Sequence, residues 1–247
     1  MTTTNTTINL MNTNSNDPIG QAILDYSKNK KPFDIVVSSD ICDDDIIPIE
    51  VLFRNFKDMP DIEKRALKIC KGKVLDVGAG AGIHCHELIK NGFSVHAIDN
   101  SQGAIEYLKK SGIPSTLSSF ESFNSQTKFD TILMMMNGIG IAGTLSNLEK
   151  TLLKAKSLLE KGGQLICDSS DIRYLYEDED GSLWMDLNSE YYGNFKFQMH
   201  YKQISGPWFD WLYVDYDNLH QIATKVGFKS VKVLEQDNHY LAQLTLV

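Results

Sequence analysis

The chain has 247 residues, 42% of them hydrophobic, and a formal net charge of −8. That length suits one large α/β domain with additions or two small domains. The acidic balance argues against a nucleic-acid substrate, because phosphate backbones are gripped by clustered Lys and Arg. No apolar run approaches the length needed to cross a bilayer. The opening Met1-Thr2-Thr3-Thr4-Asn5-Thr6-Thr7 lacks the basic and apolar regions of a signal peptide. Cys42, Cys70, Cys85 and Cys167 show no C-x-x-C spacing, so reduced thiols in a cytoplasmic protein are expected.

The Thr/Asn/Ser-rich residues 1–16 bury too little apolar area to order themselves and read as a flexible tail. Residues 20–28 read as a helix, the acidic run 40–45 and Pro48 as a loop, and residues 51–56 and 62–70 as helices, so 17–70 is expected to form a helical cap. Residues 74–77 are a short buried strand running into Gly78-Ala79-Gly80-Ala81-Gly82, followed by a helix over 83–91. A strand over 94–98 ends on Asp99, a helix spans 104–110, and a short third strand spans 115–118. The apolar run 129–136 is expected of a strand covered on both faces. Leu148, Leu152, Ala155 and Leu159 mark a helix over 145–159, stopped by Gly162 and Gly163, and residues 164–168 form the fifth strand. This alternation predicts a doubly wound parallel sheet. Residues 194–203 alternate, with Phe195, Phe197, Met199 and Tyr201 on one side, and residues 208–214 are again strand-like. With a turn at Gly206-Pro207 they make an inserted antiparallel hairpin, followed by a helix over 217–226 and strands over 230–234 and 240–247.

The glycine turn carries the most chemistry. A strand, a glycine turn and a helix start bring main chain and a positive helix end close to a ligand, and a Cβ would block the approach. An acid at the end of the next strand, here Asp99, is placed to accept hydrogen bonds from both hydroxyls of a ribose. Together these imply a nucleoside-containing cofactor. The dinucleotide fingerprint is G-x-G-x-x-G, whereas this chain has G-x-G-x-G with Asp76 two residues before the first glycine.

On Val74-Leu75-Asp76-Val77-Gly78-Ala79-Gly80-Ala81-Gly82 and Asp99, the chain resembles the class I S-adenosylmethionine-dependent methyltransferases. The resemblance is specific over residues 70–168 and rests on pattern alone over 215–247. It implies a Rossmann-like α/β fold, with a seven-stranded, mostly parallel sheet whose last strand is antiparallel. The core would comprise 71–168 and 215–247, with 17–70 and 169–214 as substrate-specific caps. It also implies that Asp76, Gly78, Ala79, Gly80, Gly82 and Asp99 bind S-adenosylmethionine. Asn100 is a candidate adenine contact beside Ser101, the expected cap of the next helix. The family places the loop after the third strand, here Phe120 and Glu121, against the adenine, although Glu121 reads equally well as an exposed helix-start residue. Asn137, beside Gly138 and Gly140, corresponds to a residue facing the methionine end. Arg54 is either a base for the methionine carboxylate or a solvated surface arginine.

Acceptor residues are less constrained. His84-Cys85-His86 looks like a metal cluster, but residues two apart on a helix point about 200° apart, so no metal site is expected. Asp168, Asp171, Arg173 and Tyr174 leave the fifth strand at the pocket face, and Asp168, Tyr174 and His200 are the catalytic candidates. His200, Tyr201, Trp208 and Trp211 on the hairpin would form an aromatic wall, pack the hairpin onto the sheet, or make a homodimer interface. The expected reaction is in-line methyl transfer to a small polar or aromatic molecule, in which alignment and exclusion of water matter most. A nicotinamide-dependent oxidoreductase is disfavoured by the glycine spacing. A catalytically silent cofactor-binding partner protein is a further alternative.

Overall fold

Val74, Leu75 and Val77, and likewise Ile132, Leu133 and Met134, are apolar at successive rather than alternate positions, and all are buried. A strand can bury both its faces only inside a sheet with helices on either side, and that is the arrangement found. The computed structural model describes residues 16–176, 178 and 190–247. The tail expected over residues 1–16 therefore lies outside the described residues except for Asn16.

The main sheet is built from β3 (Lys73–Val77), β4 (Ser94–Asp99), β5 (Ser115–Leu117), β6 (Phe129–Met134), β7 (Leu159–Ser170), β10 (Phe228–Gln236) and β11 (His239–Leu246). Its seven strands run in the order β10-β11-β7-β6-β3-β4-β5, and β11 is antiparallel to both of its neighbours. The order reverses between β3 and β6, so a crevice opens at the carboxyl ends of these two strands. One face is covered by α2 (Asp61–Ile69), α3 (Ile83–Lys90) and α4 (Gln102–Lys110), through Ile62, Ala66, Leu88, Ile105 and Leu108. The other is covered by α5 (Leu145–Leu158) and α6 (Tyr216–Val226), through Leu148, Leu152, Leu219 and Ala223.

A second sheet departs from expectation. The segment 17–70, expected to be helical throughout, begins with α1 (Pro18–Asn29) but then forms β1 (Ile35–Ser39) and β2 (Asp45–Ile47). Residues 49–53 and 56–58 are 3-10 turns rather than one helix. β1 pairs antiparallel with β8 (Asn194–Tyr201), Val36 opposite His200, and β8 pairs with β9 (Ile204–Leu212). The N-terminal segment and the inserted hairpin thus share one four-stranded sheet, β2-β1-β8-β9. Ile35 and Tyr201 on its inner face pack with Ala22 and Ile23 of α1 and with Ala81 and Ala104 of the core.

Three turn assignments also change. The hairpin turns at Lys202-Gln203, with Lys202 at φ +54°. Gly206-Pro207 lies within β9, an edge strand, beside the register shift between Gln198 and His200, which is where a strand tolerates proline. The fifth helix ends at Leu158, and Gly162 sits in an irregularity that carries the pairing from Phe129–Leu159 to Thr131–Gln164. No helix among the described residues is long and apolar enough to cross a membrane.

Candidate functional site

β3 ends at the crevice and delivers the glycine turn there. Gly78, Gly80 and Gly82 have φ of +71°, +54° and +75°, a region that L side chains rarely occupy. A Cβ on Gly78 or Gly80 would meet nothing within 4 Å, so those two positions face open space. On Gly82 it would come within 2.5 Å of Leu108, so that glycine is required by packing against α4. The turn's donors are engaged internally: the Gly78 and Ala79 N–H groups donate to Ile98 O at 2.9 and 3.2 Å. The turn therefore offers space and carbonyls rather than the free N–H groups a phosphate would need.

Asp99 closes the next strand. It accepts from Gly80 N–H on Oδ2 and from Ser101 N–H on Oδ1, each at 2.8 Å, and is 9% exposed. Burial pushes its carboxyl up to about 6 despite these two donors, with Asp17 and Asp76 adding in the same direction. Asp76 is 1% exposed and accepts from the Cys85 thiol at 3.0 Å. Burial raises its pKa, and burial with Asp76 alongside keeps Cys85 protonated as the donor. Asn100 is exposed immediately beyond Asp99, and Ser101 caps α4 by accepting from Ala104 N–H at 3.0 Å.

Arg54 is not a solvated surface residue. Its side chain is 11% exposed, one amino group donates to Val51 O at 2.6 Å, and the other is ion-paired with Glu63. Its Nε is buried without a hydrogen-bond partner among the described residues. Arg54 lines a cleft of about 490 Å³ with Phe53, Tyr107, and Ala81 and Ile83 on either side of Gly82. Glu63 holds His84 Nε2 on its second oxygen at 3.0 Å. His84 is buried and His86 exposed, so the two do not converge on an ion.

The loop after β6 is shaped by two consecutive left-handed residues, Met136 (φ +65°) and Asn137 (φ +57°). Asn137 is held from two sides: Oδ1 accepts from Ser169 Oγ at 2.8 Å and Nδ2 donates to Leu212 O at 3.2 Å. Next to it, Gly140 is required by close approach, because a Cβ there would come within 2.3 Å of the Trp211 indole nitrogen. The inserted sheet is thereby seated on the loop at the carboxyl end of β6.

Glu121 is exposed and paired with Lys150. Phe120 is 4% exposed and belongs to the core with Ile98 and Phe123. Asp168 is 1% exposed and both oxygens are used, by Gly138 N–H at 3.1 Å and His239 Nε2 at 2.9 Å, so it supports the β6 loop. His200 alternates with the inward Tyr201 and bonds Ser38 and Ser205 at 3.2 and 2.9 Å, which places it on the outer face of the second sheet. Trp208, 50% exposed, alternates with Phe209 and also lies outside. Tyr174 is half exposed in the 3-10 turn after β7, where Arg173 is spent on Asp171. The glycine turn and Asp99 are joined by the Gly80–Asp99 bond, and Asn137 follows β6, the strand paired with β3. Glu63, bonded to Arg54, and Ser169, bonded to Asn137, were not singled out in sequence, although Glu63 stands at helical spacing with the apolar Ala66 and Leu67.

A doubly wound sheet with its glycine turn and strand-end acid at the switch point, joined to a last strand running antiparallel, defines the class I S-adenosylmethionine-dependent methyltransferases. The chain belongs to this family: the Methyltransferase domain family matches residues 47–233, more than half of its length. An S-adenosylmethionine-dependent methyltransferase from Bacteroides fragilis, solved in complex with S-adenosyl-L-homocysteine, is 42% identical, with 94% of this chain and 96% of that one covered and a TM-score of 0.88. Two further structures share the fold. The CcbJ methyltransferase from Streptomyces caelestis is 13% identical over 78% of this chain and 95% of that one, with a TM-score of 0.59. The PH0226 protein from Pyrococcus horikoshii is 17% identical over the same shares, 78% and 95%, with a TM-score of 0.55. No curated protein matches the chain in sequence.

Proposed function

We propose that this methyltransferase acts on a small polar or aromatic molecule, by in-line displacement, at the carboxyl ends of β3 and β6. The observation that carries the cofactor half of this reading is the pairing of Asp99 with open space over Gly78 and Gly80. The residues present fit the cofactor's three parts. Asp99 offers remaining carboxylate lone pairs to the ribose hydroxyls, with Asn100 exposed beside it. Gly78 and Gly80 leave room for a chain to lie on the turn. Arg54, with an unpartnered Nε, and buried Asp76 suit a carboxylate and an ammonium.

When bound, S-adenosylmethionine supplies a methyl group already activated by a sulfonium charge, so the residues here serve to align the acceptor and exclude water. A nitrogen or carboxylate acceptor needs no strong base, which agrees with the engagement of Asp168 and His200 elsewhere. Asn137 and its loop form the floor beside the methyl end, and Trp211, seated on Gly140, carries the aromatic Phe209 and Phe197 beside it, with centroids 5.9 and 6.3 Å apart along that chain. Rings of this kind stack on an aromatic acceptor or surround a cationic amine. The net charge of −8 favours such a partner over nucleic acid.

Calorimetric titration tests the cofactor assignment. S-adenosylmethionine and S-adenosylhomocysteine bind in the micromolar range, and nicotinamide dinucleotides do not. Asp99→Ala weakens both by about 1.5–3 kcal/mol, the usual size of hydrogen bonds to a charged group. Equal affinity in wild type and Asp99→Ala removes the ribose from Asp99. A panel of small amines, phenols and carboxylates, scored by release of S-adenosylhomocysteine, then tests the acceptor class; turnover confined to macromolecules refutes it.

A further inference from the structure

Glu63 is an acid in an unusual place. It lies in the first turn of α2, where its neighbour Asp61 has a side chain 72% exposed, yet Glu63 itself is only 4% exposed. Helix spacing sets Glu63 on the buried stripe of α2 with Ala66 and Leu67, a place for an apolar residue, although an acid near a helix start interacts as well from the surface. Its two oxygens reach two other elements. Oε1 is paired with Nη2 of Arg54, which follows a 3-10 turn, and Oε2 meets Nε2 of His84, in the first turn of α3, at 3.0 Å. Burial by itself would raise the Glu63 carboxyl, but His84 and Arg54 outweigh it and hold the group below its ordinary value, so the acid is ionised. An ionised chain of this kind contributes little net stability over well-packed apolar residues of similar size. What it does fix is direction: with Nη1 on Val51 O and Nη2 on Glu63, the guanidinium plane has no rotational freedom.

We propose that Glu63 is a positioning residue for the amino-acid end of the cofactor, holding Arg54 in the orientation that receives the carboxylate and locking it to α3 through His84. This rests on the reading of Arg54 given above. Arg54 presents five N–H donors, and Val51 and Glu63 take two of them. The remaining ones, including the unpartnered Nε, belong to a side chain that borders the same cleft as Ala81 and Ile83. His84 makes the arrangement a brace between the turn that carries Arg54 and the helix that begins at the glycine turn. A carboxamide at position 63 replaces it only in part, because the negative charge that draws the guanidinium is lost and one of the two acceptor oxygens becomes an N–H₂ donor.

The test compares two probes by calorimetry on the full chain: S-adenosylhomocysteine, and methylthioadenosine, which has the nucleoside but no amino-acid end. Glu63→Gln weakens S-adenosylhomocysteine about tenfold and leaves methylthioadenosine within about twofold. A purely structural acid would weaken both probes together, and that result, or an unchanged S-adenosylhomocysteine affinity, overturns the proposal. Arg54→Met separates the two layers of argument. If it spares S-adenosylhomocysteine, the assignment of Arg54 fails, and the role of Glu63 with it. If it selectively weakens that probe while Glu63→Gln does not, only the role of Glu63 fails. Should circular dichroism show Glu63→Gln unfolded, His84→Gln carries the test: a selective loss of about threefold supports the brace, and equal affinities refute it.

Discussion

With the ribose on Asp99, as proposed, affinity for the cofactor is expected to depend on pH. In the free protein its carboxyl is 9% exposed and burial pushes it from 3.8 to about 6, so it is half protonated near that pH. A ribose hydroxyl pair donates to the ionised form, so binding draws the group back toward its ordinary value, a change of about two units or roughly 3 kcal/mol. Above about pH 7 the acceptor is already ionised and affinity is flat. Below pH 6 each unit removes about tenfold, because a proton must first be expelled. Stability moves in the opposite direction. The folded-state pKa lies above the unfolded value, so the folded protein holds the extra proton, and this contribution is full below about pH 4 and lost as pH rises through about 6. The assay is calorimetry with S-adenosylhomocysteine at half-unit steps from pH 5 to pH 8, on wild type and Asp99→Asn. Wild type loses about tenfold from pH 7.5 to pH 5, while the carboxamide is weak and nearly flat. A wild-type profile flat through pH 6, or a slope retained in Asp99→Asn, refutes the reasoning.

Gly80→Val folds, at a cost of roughly 1–2 kcal/mol for a branched side chain at positive φ, but loses cofactor binding because it fills the space over the turn; normal titration by the folded variant contradicts this. Gly82→Ala behaves differently: the new methyl is driven toward Leu108 and Ile113, so the unfolding free energy from denaturant titration falls by about 1–3 kcal/mol while the folded protein still binds S-adenosylhomocysteine. Trp211→Ala lowers acceptor turnover with cofactor affinity and solution mass unchanged, whereas Trp208→Ala, on the outer face, changes turnover little. A shift to monomer in either variant with turnover retained would make the second sheet a dimer interface instead.

The parallel core was legible because its signals are local. Continuous apolar runs such as Phe129–Met134 announce strands buried on both faces, and Gly227 announces the end of α6 by its left-handed φ of +101°. The second sheet was not, because its evidence is spread along the chain. β2 is a three-residue strand of largely exposed residues beside an acidic run, and β1 is completed by β8 more than a hundred residues later. The hairpin turn also lacked its usual marker: Lys202 adopts the left-handed conformation, while the Gly-Pro pair that reads as a turn sits in an edge strand. The cofactor site shows the same division. Gly78 and Gly80 lie in one short turn and Asp99 at the end of the next strand, whereas the Arg54–Glu63–His84 chain joins three segments, and Glu63 is a charged residue on the buried stripe of α2 with Ala66 and Leu67. Asp168 and His200 had chemically suitable side chains at suitable distances in sequence, but strand alternation and existing partners turn them elsewhere.

The most direct measurement is a crystal structure of the chain with S-adenosylhomocysteine. The ribose hydroxyls are expected on Asp99, the amino-acid chain over Gly78 and Gly80, and its carboxylate on Arg54 with the Glu63 pair retained. A nucleoside bound away from β3 and β4, or a carboxylate held by other residues with Arg54 still turned wholly to Glu63 and Val51, would contradict it.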